Sequence, residues 1–117
     1  LKWSQEGKVS IKLKKGERAV ARPFVFIQNK KFYMYYCYET KVGDYKIGFA
    51  TSNNGIKWTR QDHLSGIKKS SKKGDWDYEM IAYPHIINHK KKKYMLYNGN
   101  SYGKDGFGLA IGHEKKN

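Results

Sequence analysis

An internal repeat is the feature that most constrains the fold of this chain, because two segments of similar sequence are expected to adopt the same structure. Four pairs of segments align: 21–27 with 82–88, 30–36 with 91–97, 47–50 with 107–110, and 2–4 with 57–59. An Ala and a Pro coincide in the first pair, and a Lys-Trp dipeptide coincides in the last. The chain therefore contains about two copies of a unit of roughly 55 to 60 residues.

Each copy has the pattern of short β-strands, and no helical periodicity is sustained anywhere along the chain. The predicted strands are 23–28, 31–38, 45–51 and 56–60 in the first copy, and 83–88, 92–98 and 106–111 in the second. Pro23 is placed at the start of its strand, where a missing N–H does least harm. Asn54 and Gly55 predict a two-residue hairpin turn in which both residues have positive φ.

Four antiparallel strands repeated in tandem are typical of β-propeller blades, so we predict an all-β fold of about two four-stranded blades. The chain forms one partial domain, with repeat 1 at about 1–60 and repeat 2 at about 61–117. Residues 1–4 are a segment that could supply the missing fourth strand of the second copy. A β-sandwich of about seven or eight strands is the alternative architecture, and it would not require a repeat.

The net charge of +14 suggests a polyanion as a partner, but only three of the 24 basic residues are arginines. Recognition of bases and phosphates favours the planar guanidinium of Arg. Many lysines cluster in predicted turns, where they are solvated and protect strand edges. Nucleic acid is therefore not an expected partner, although a basic polyanion-binding module stays as an alternative.

No apolar run approaches the roughly 20 residues of a membrane span, and the single cysteine, Cys37, is interpreted as a core residue.

The sequence A-T-S-N-N-G-I-K-W at 50–58 resembles the A-x-S-x-D-G-x-x-W hairpin of five-bladed β-propeller glycosidases, which are related to glycoside hydrolase families 43 and 32. Asn54 replaces the Asp of that motif. The segments 76–84 and 94–108 are also similar to parts of these proteins, so the resemblance covers nearly the whole chain. It implies about five blades in a protein of roughly 300 residues, of which this chain would be the C-terminal two-blade part. Exposed blade edges then predict a homo-oligomer.

The resemblance also implies a function on carbohydrates, by hydrolysis or as a non-catalytic binding or scaffold propeller. A glycosidase needs two carboxylates that face each other across the scissile bond. Related propellers place these acids at the starts of inner strands, where this chain has Arg22 and Tyr83. Glu79, four residues before Tyr83, is the candidate catalytic general acid. The second acid is expected in blades outside this chain, so the chain alone is expected to be inactive.

Six residues are candidates for substrate binding by the chemistry of their side chains: Arg22, Tyr83, Trp76, Tyr97, Asn98 and Asn100. The Arg fork could hold a sugar hydroxyl pair or an adjacent Glu79. Aromatic rings can stack on sugars or pack between blades, and the Asn amides can bond hydroxyls or simply form a turn. No cofactor or metal is expected, since His85 and His89 lie four residues apart without a Cys or acid at ligand spacing.

Overall fold

A computed structural model describes residues 1–114 of the chain, in which two antiparallel β-sheets form adjacent blades. Blade 1 contains β1 (Ala19–Gln28), β2 (Lys31–Glu39), β3 (Lys46–Ser52) and β4 (Thr59–Arg60), and blade 2 contains β5 (Ala82–His89), β6 (Lys92–Asn98) and β7 (Phe107–Ile111). Strand order follows the sequence in both sheets. The predicted all-β fold of antiparallel blades is confirmed. No helix among the described residues is long and apolar enough to cross a membrane.

The hairpins that join the first two strands of each blade have the same backbone geometry. The turn residues Asn29 and Lys30 have φ values of 51° and 63°, and Lys90 and Lys91 have values of 49° and 65°. Positive φ at both positions is typical of the type I′ turn, whose twist matches that of the flanking strands. The aligned Lys-rich segments of the sequence therefore correspond to equivalent turns in the structure.

Each inner strand also carries a bulge at the aligned Pro. The register of β1 against β2, and of β5 against β6, shifts once across an X-Pro dipeptide. The residues before the prolines, Arg22 and Tyr83, have φ values of 55° and 56°, although a residue before Pro favours extended backbone with negative φ. Pro23 lies inside β1 at this bulge, and not at the start of the strand as predicted, because pairing with β2 begins upstream at Ala19.

The connection from β3 to β4 differs from the prediction. The predicted strand at 56–60 is reduced to Thr59–Arg60. Gly55 has a φ of 75°, but Asn54 is not among the residues with positive φ, so the two do not form the predicted turn. The Asn54 Oδ1 atom instead accepts bonds of 2.9 Å from the backbone N–H groups two and three residues further on. An Asn side chain can organise a longer loop in this way, and the loop shortens the strand.

The main core lies between the two blades. Its buried members come from β3, from the segment before β5, and from β5 and β6: Ile47, Ile81, Ile86, Met95 and Tyr97. The opposite face of blade 1 forms a second cluster that packs against Ile11 of the N-terminal segment. Cys37 is fully buried and confirms its interpretation as a core residue. Residues 1–4 are exposed and belong to neither sheet, so blade 2 has three strands within residues 1–114.

Candidate functional site

The bulges of the two inner strands, β1 and β5, meet at a group of aromatic rings and one guanidinium. The Arg22 Cζ atom lies 4.9 Å from the centroid of the Tyr83 ring. Tyr83 stacks on Tyr102 with a centroid distance of 6.1 Å, and Tyr45 meets Tyr102 edge-on at 5.8 Å. We refer to Arg22, Tyr45, Tyr83 and Tyr102 as the inner-strand cluster. The structure thus brings together Arg22 and Tyr83, which the repeat places at equivalent positions.

The inner-strand cluster is built on unusual backbone conformations. Arg22, Tyr83, Ser101 and Tyr102 all have φ between 52° and 59° without being Gly. Ser101 and Tyr102 lie in a single turn at Asn100–Gly103. Such conformations cost about 1–3 kcal/mol each and persist where the surrounding structure holds them. The other non-Gly residues with positive φ in the described chain lie in the two hairpin turns, where turn geometry requires it. Among the non-Gly residues of the described chain, left-handed backbone outside those hairpins therefore occurs only at Arg22, Tyr83, Ser101 and Tyr102.

Two predicted binding residues, Asn98 and Asn100, hold the turn that carries Tyr102. The Asn98 Nδ2 group donates to the backbone oxygen of Tyr102 at 2.9 Å. The Asn100 Oδ1 atom accepts from the backbone N–H of Glu79 at 2.8 Å, and its Nδ2 group donates to the backbone oxygen of Asp75 at 2.9 Å. Both ends of the Asn100 amide therefore bond the protein backbone. These bonds position Tyr102 and Glu79 relative to each other.

Two further predicted residues, Trp76 and Tyr97, pack against each other in blade 2. Their ring centroids are 5.3 Å apart with an interplanar angle of 28°. A Cβ atom at Gly99 or Gly108 would overlap the indole ring, so both glycines are needed for this packing. The Tyr97 hydroxyl donates to Asp77 at 3.1 Å. Burial and this bond raise the pKa of Tyr97 to about 12. The structure places both rings in the packing of blade 2, outside the inner-strand cluster.

An open crevice of about 1130 Å³ lies between the blades beside the inner-strand cluster. Glu79, Tyr78 and Tyr102 are among the residues that line it. The Glu79 side chain is exposed, and no basic side chain within residues 1–114 lies within 4 Å of its carboxylate. The alternative that Glu79 forms an ion pair with Arg22 is therefore wrong. Tyr102 belongs both to the cluster and to the crevice, and so connects the two.

A buried acid that was not predicted from the sequence, Glu39, lies near this cluster. Glu39 is 5% exposed and accepts bonds from Arg18 Nη1 at 3.0 Å and from the backbone N–H of Gly43 at 2.8 Å. Desolvation raises the pKa of Tyr102, and the charge of the nearby Glu39 raises it further. The missed signal is the strand alternation of β2, which puts Glu39 on the same face as the buried Cys37. Among residues 1–114, no three His, Cys, Asp or Glu side chains are grouped to hold a metal ion.

No family model matches this sequence. The chain is 34% identical over 110 residues to the uncharacterized protein Rv1502 of Mycobacterium tuberculosis strain H37Rv, and equally to the uncharacterized protein MT1551 of strain CDC 1551. Each match covers 93% of this chain and 36% of the relative. The chain therefore spans little more than a third of the length of the curated relatives that it matches.

Two solved structures share the fold of the chain. One is an RGII complex of BT0996, with a TM-score of 0.67 at 19% identity, and the match covers 91% of this chain and 36% of that protein. The other is described as a glycoside hydrolase and has a TM-score of 0.63 at 19% identity, with coverage of 87% and 34%. Similarity at this level of identity concerns the fold alone. It supports the glycosidase-like fold, whereas five blades and a relation to families 43 and 32 stay predictions.

Proposed function

We propose that this chain binds a carbohydrate at the inner-strand cluster and the adjoining crevice, as part of a glycosidase-like propeller. The observation that carries the proposal is the grouping of exposed Arg22 and Tyr102 around the half-buried Tyr83, all on left-handed backbone. Sugar rings have apolar faces that stack on aromatic rings, and hydroxyls that bond guanidinium and phenol groups. The fold shared with a protein described as a glycoside hydrolase agrees with this proposal.

Glu79 is the residue that we assign to proton donation if the ligand is hydrolysed. Its carboxylate is exposed at the crevice, and its backbone N–H is fixed by Asn100. Hydrolysis needs a second carboxylate across the scissile bond. Asp44 and Asp62 also line the crevice, but Lys46 and Arg60 pair with them. The proposed function of the chain itself is therefore binding, and a hydrolytic partner acid would come from further polypeptide.

The test is titration calorimetry with a panel of neutral and acidic oligosaccharides. Tyr102 is 46% exposed, so Tyr102→Ala removes the stacking ring without opening a core cavity. We expect the affinity to fall about three- to tenfold, since an aromatic contact contributes about 0.5–1.5 kcal/mol beyond burial. Trp3→Ala is the matched control, because Trp3 is an exposed aromatic residue of the N-terminal segment. Equal affinities of Tyr102→Ala and the unmodified chain would refute the proposal.

Catalysis is tested separately with aryl glycosides. We expect no turnover from this chain alone, because the described residues provide no unpaired second acid in the crevice. The comparison variant is Glu79→Gln, which preserves the shape of the side chain and removes its proton. Turnover by the unmodified chain that disappears in Glu79→Gln would establish an enzyme and overturn the assignment of binding alone.

A further inference from the structure

We infer that the ligand of this site is an anionic glycan, in which the sugars carry carboxylate or similar acidic groups. The inference rests on the carbohydrate function proposed above and names the class of carbohydrate. Its starting point is the set of lysines that line the crevice together with Tyr102: Lys41, Lys46, Lys68 and Lys69. These four lysines differ from the other lysines of the described chain because they line the crevice, next to the tyrosine rings of the inner-strand cluster.

The carboxylates of the crevice neutralise only part of this charge. Asp44 pairs with Lys46 at 3.4 Å, and Asp62 is held by Arg60 at 2.7 Å. Within residues 1–114, the other three crevice lysines have no carboxylate within 4 Å. Glu79 is the one crevice carboxylate of the described chain without a basic partner. Three unpaired positive charges therefore face one unpaired negative charge, and this excess attracts an anion.

The inner-strand cluster adds a fourth unpaired cation. Arg22 is exposed and has no carboxylate within 4 Å in the described chain. Its guanidinium lies against the ring of Tyr83. A guanidinium held in this way can still offer its N–H donors to a carboxylate in two parallel hydrogen bonds. Tyrosine rings that can stack on sugar faces therefore lie next to cations that can bind acidic groups. A chain of acidic sugars needs both kinds of contact.

The experiment compares one oligosaccharide in a charged and an uncharged form, trigalacturonate and its methyl ester, at low and at high salt. We expect the acid to bind at least about tenfold more tightly than the ester at low ionic strength, where the Debye length is about 30 Å. That preference should shrink as salt screens the lysines. Changing Lys68 and Lys69 to Gln should weaken binding of the acid about three- to tenfold, since each solvated charge contributes modestly, and should leave binding of the ester unchanged.

The matched control changes Lys72 and Lys73 to Gln, which alters the net charge equally. These lysines are exposed in the same loop but do not line the crevice. An equal loss of affinity in the control would show general attraction of polyanions and overturn the inference, as would tighter binding of a single-stranded oligonucleotide. Ester binding equal to acid binding, with dependence on Tyr102, would uphold the carbohydrate function and reject the anionic class. Binding of neither form, nor of any neutral sugar in the panel, would reject both.

Discussion

Replacement of Arg60 should reduce stability strongly, because its guanidinium neutralises two acids whose side chains are largely shielded from solvent. Its Nη1 and Nη2 groups donate to the two carboxylate oxygens of Glu17 at 2.7 and 2.8 Å, and Nη2 also donates to Asp62 at 2.7 Å. The side chains of Arg60 and Glu17 are only 10% and 6% exposed. A further bond of 2.9 Å reaches the backbone oxygen of Lys12. One guanidinium therefore fastens the N-terminal segment to blade 1.

Arg60→Met keeps much of the length of the side chain and leaves Glu17 and Asp62 without their cation. Removing one partner of a buried ion pair costs about 3–5 kcal/mol. The Arg60 Nε atom is buried without a hydrogen-bond partner, which lowers the net contribution of the native side chain. We therefore expect a loss of about 3 kcal/mol in the free energy of unfolding. For a chain of this size the melting temperature would fall by roughly 10–15 °C.

The pH dependence of this loss has a definite sign. Burial alone would raise the pKa values of Glu17 and Asp62, but hydrogen bonds, including those from Arg60, hold both pKa values below their ordinary range. Such groups stabilise the fold above their unfolded pKa, and this stability disappears as pH falls through the folded pKa. In Arg60→Met the Arg60 bonds that help to hold both pKa values down are lost, so both values should rise. The difference from the unmodified chain should therefore be largest at neutral pH and should narrow as the pH falls below about 5, through the ordinary carboxylate range toward the lowered pKa values of the unmodified chain.

Urea unfolding followed by circular dichroism at about pH 7 and about pH 4 measures both effects. Lys14→Met is the control, because Lys14 lies 3.7 Å from the same Asp62 but is 58% exposed, and we expect it to cost less than about 1 kcal/mol. Adding Glu17→Gln to Arg60→Met should recover part of the lost free energy of unfolding, because it removes one of the two carboxylate charges that Arg60 no longer neutralises. A loss below about 1 kcal/mol for Arg60→Met, or a difference that does not change with pH, would show that Arg60 does not stabilise these two carboxylates.

Three other substitutions test packing, the loop that carries Glu79, and self-association. Gly108→Ala should cost about 1–3 kcal/mol in urea unfolding, because its Cβ would overlap the indole of Trp76; a neutral effect would contradict the packing. Asn100→Ala should cost about 0.5–1.5 kcal/mol by removing the bonds to the Glu79 N–H and the Asp75 oxygen, and weaker oligosaccharide binding should accompany this loss. We also propose that chains associate through the exposed face of β7, which includes Leu109, because the equivalent face of blade 1 packs on blade 2. Sedimentation should then detect oligomers that Leu109→Glu abolishes, and a monomer for the unmodified chain would exclude them.

The blades could be predicted from the sequence because the two copies of the repeat adopt the same backbone conformation. The Lys-rich turns and the Ala-x-Pro segments align in the sequence, and they have matching φ values in the structure. The predicted bounds of β6 agree with the observed strand Lys92–Asn98. β4 is shorter than predicted because an Asn-Gly pair is compatible with two different loop structures. It can form a type I′ turn, or the side chain of Asn54 can bond the N–H groups that follow it. Local sequence does not distinguish these outcomes.

Only the part of the candidate site that lies at equivalent positions of the two repeats could be predicted from the sequence. Arg22 and Tyr83 occupy equivalent positions before a proline, so their proximity at the bulges of the inner strands follows from the blade arrangement. Tyr102 has no such mark, since its place depends on a turn held by hydrogen bonds to Asn98 and Asn100. The chemistry of an Asn side chain is equally suited to a sugar hydroxyl and to a backbone N–H. In the fold, backbone N–H and C=O groups that are removed from solvent need hydrogen-bond partners, and the Asn side chains supply them. Candidates for ligand contact are thus the side chains whose polar groups stay free once the backbone is satisfied. Among the described residues of the crevice, these are Glu79 and the three unpaired lysines.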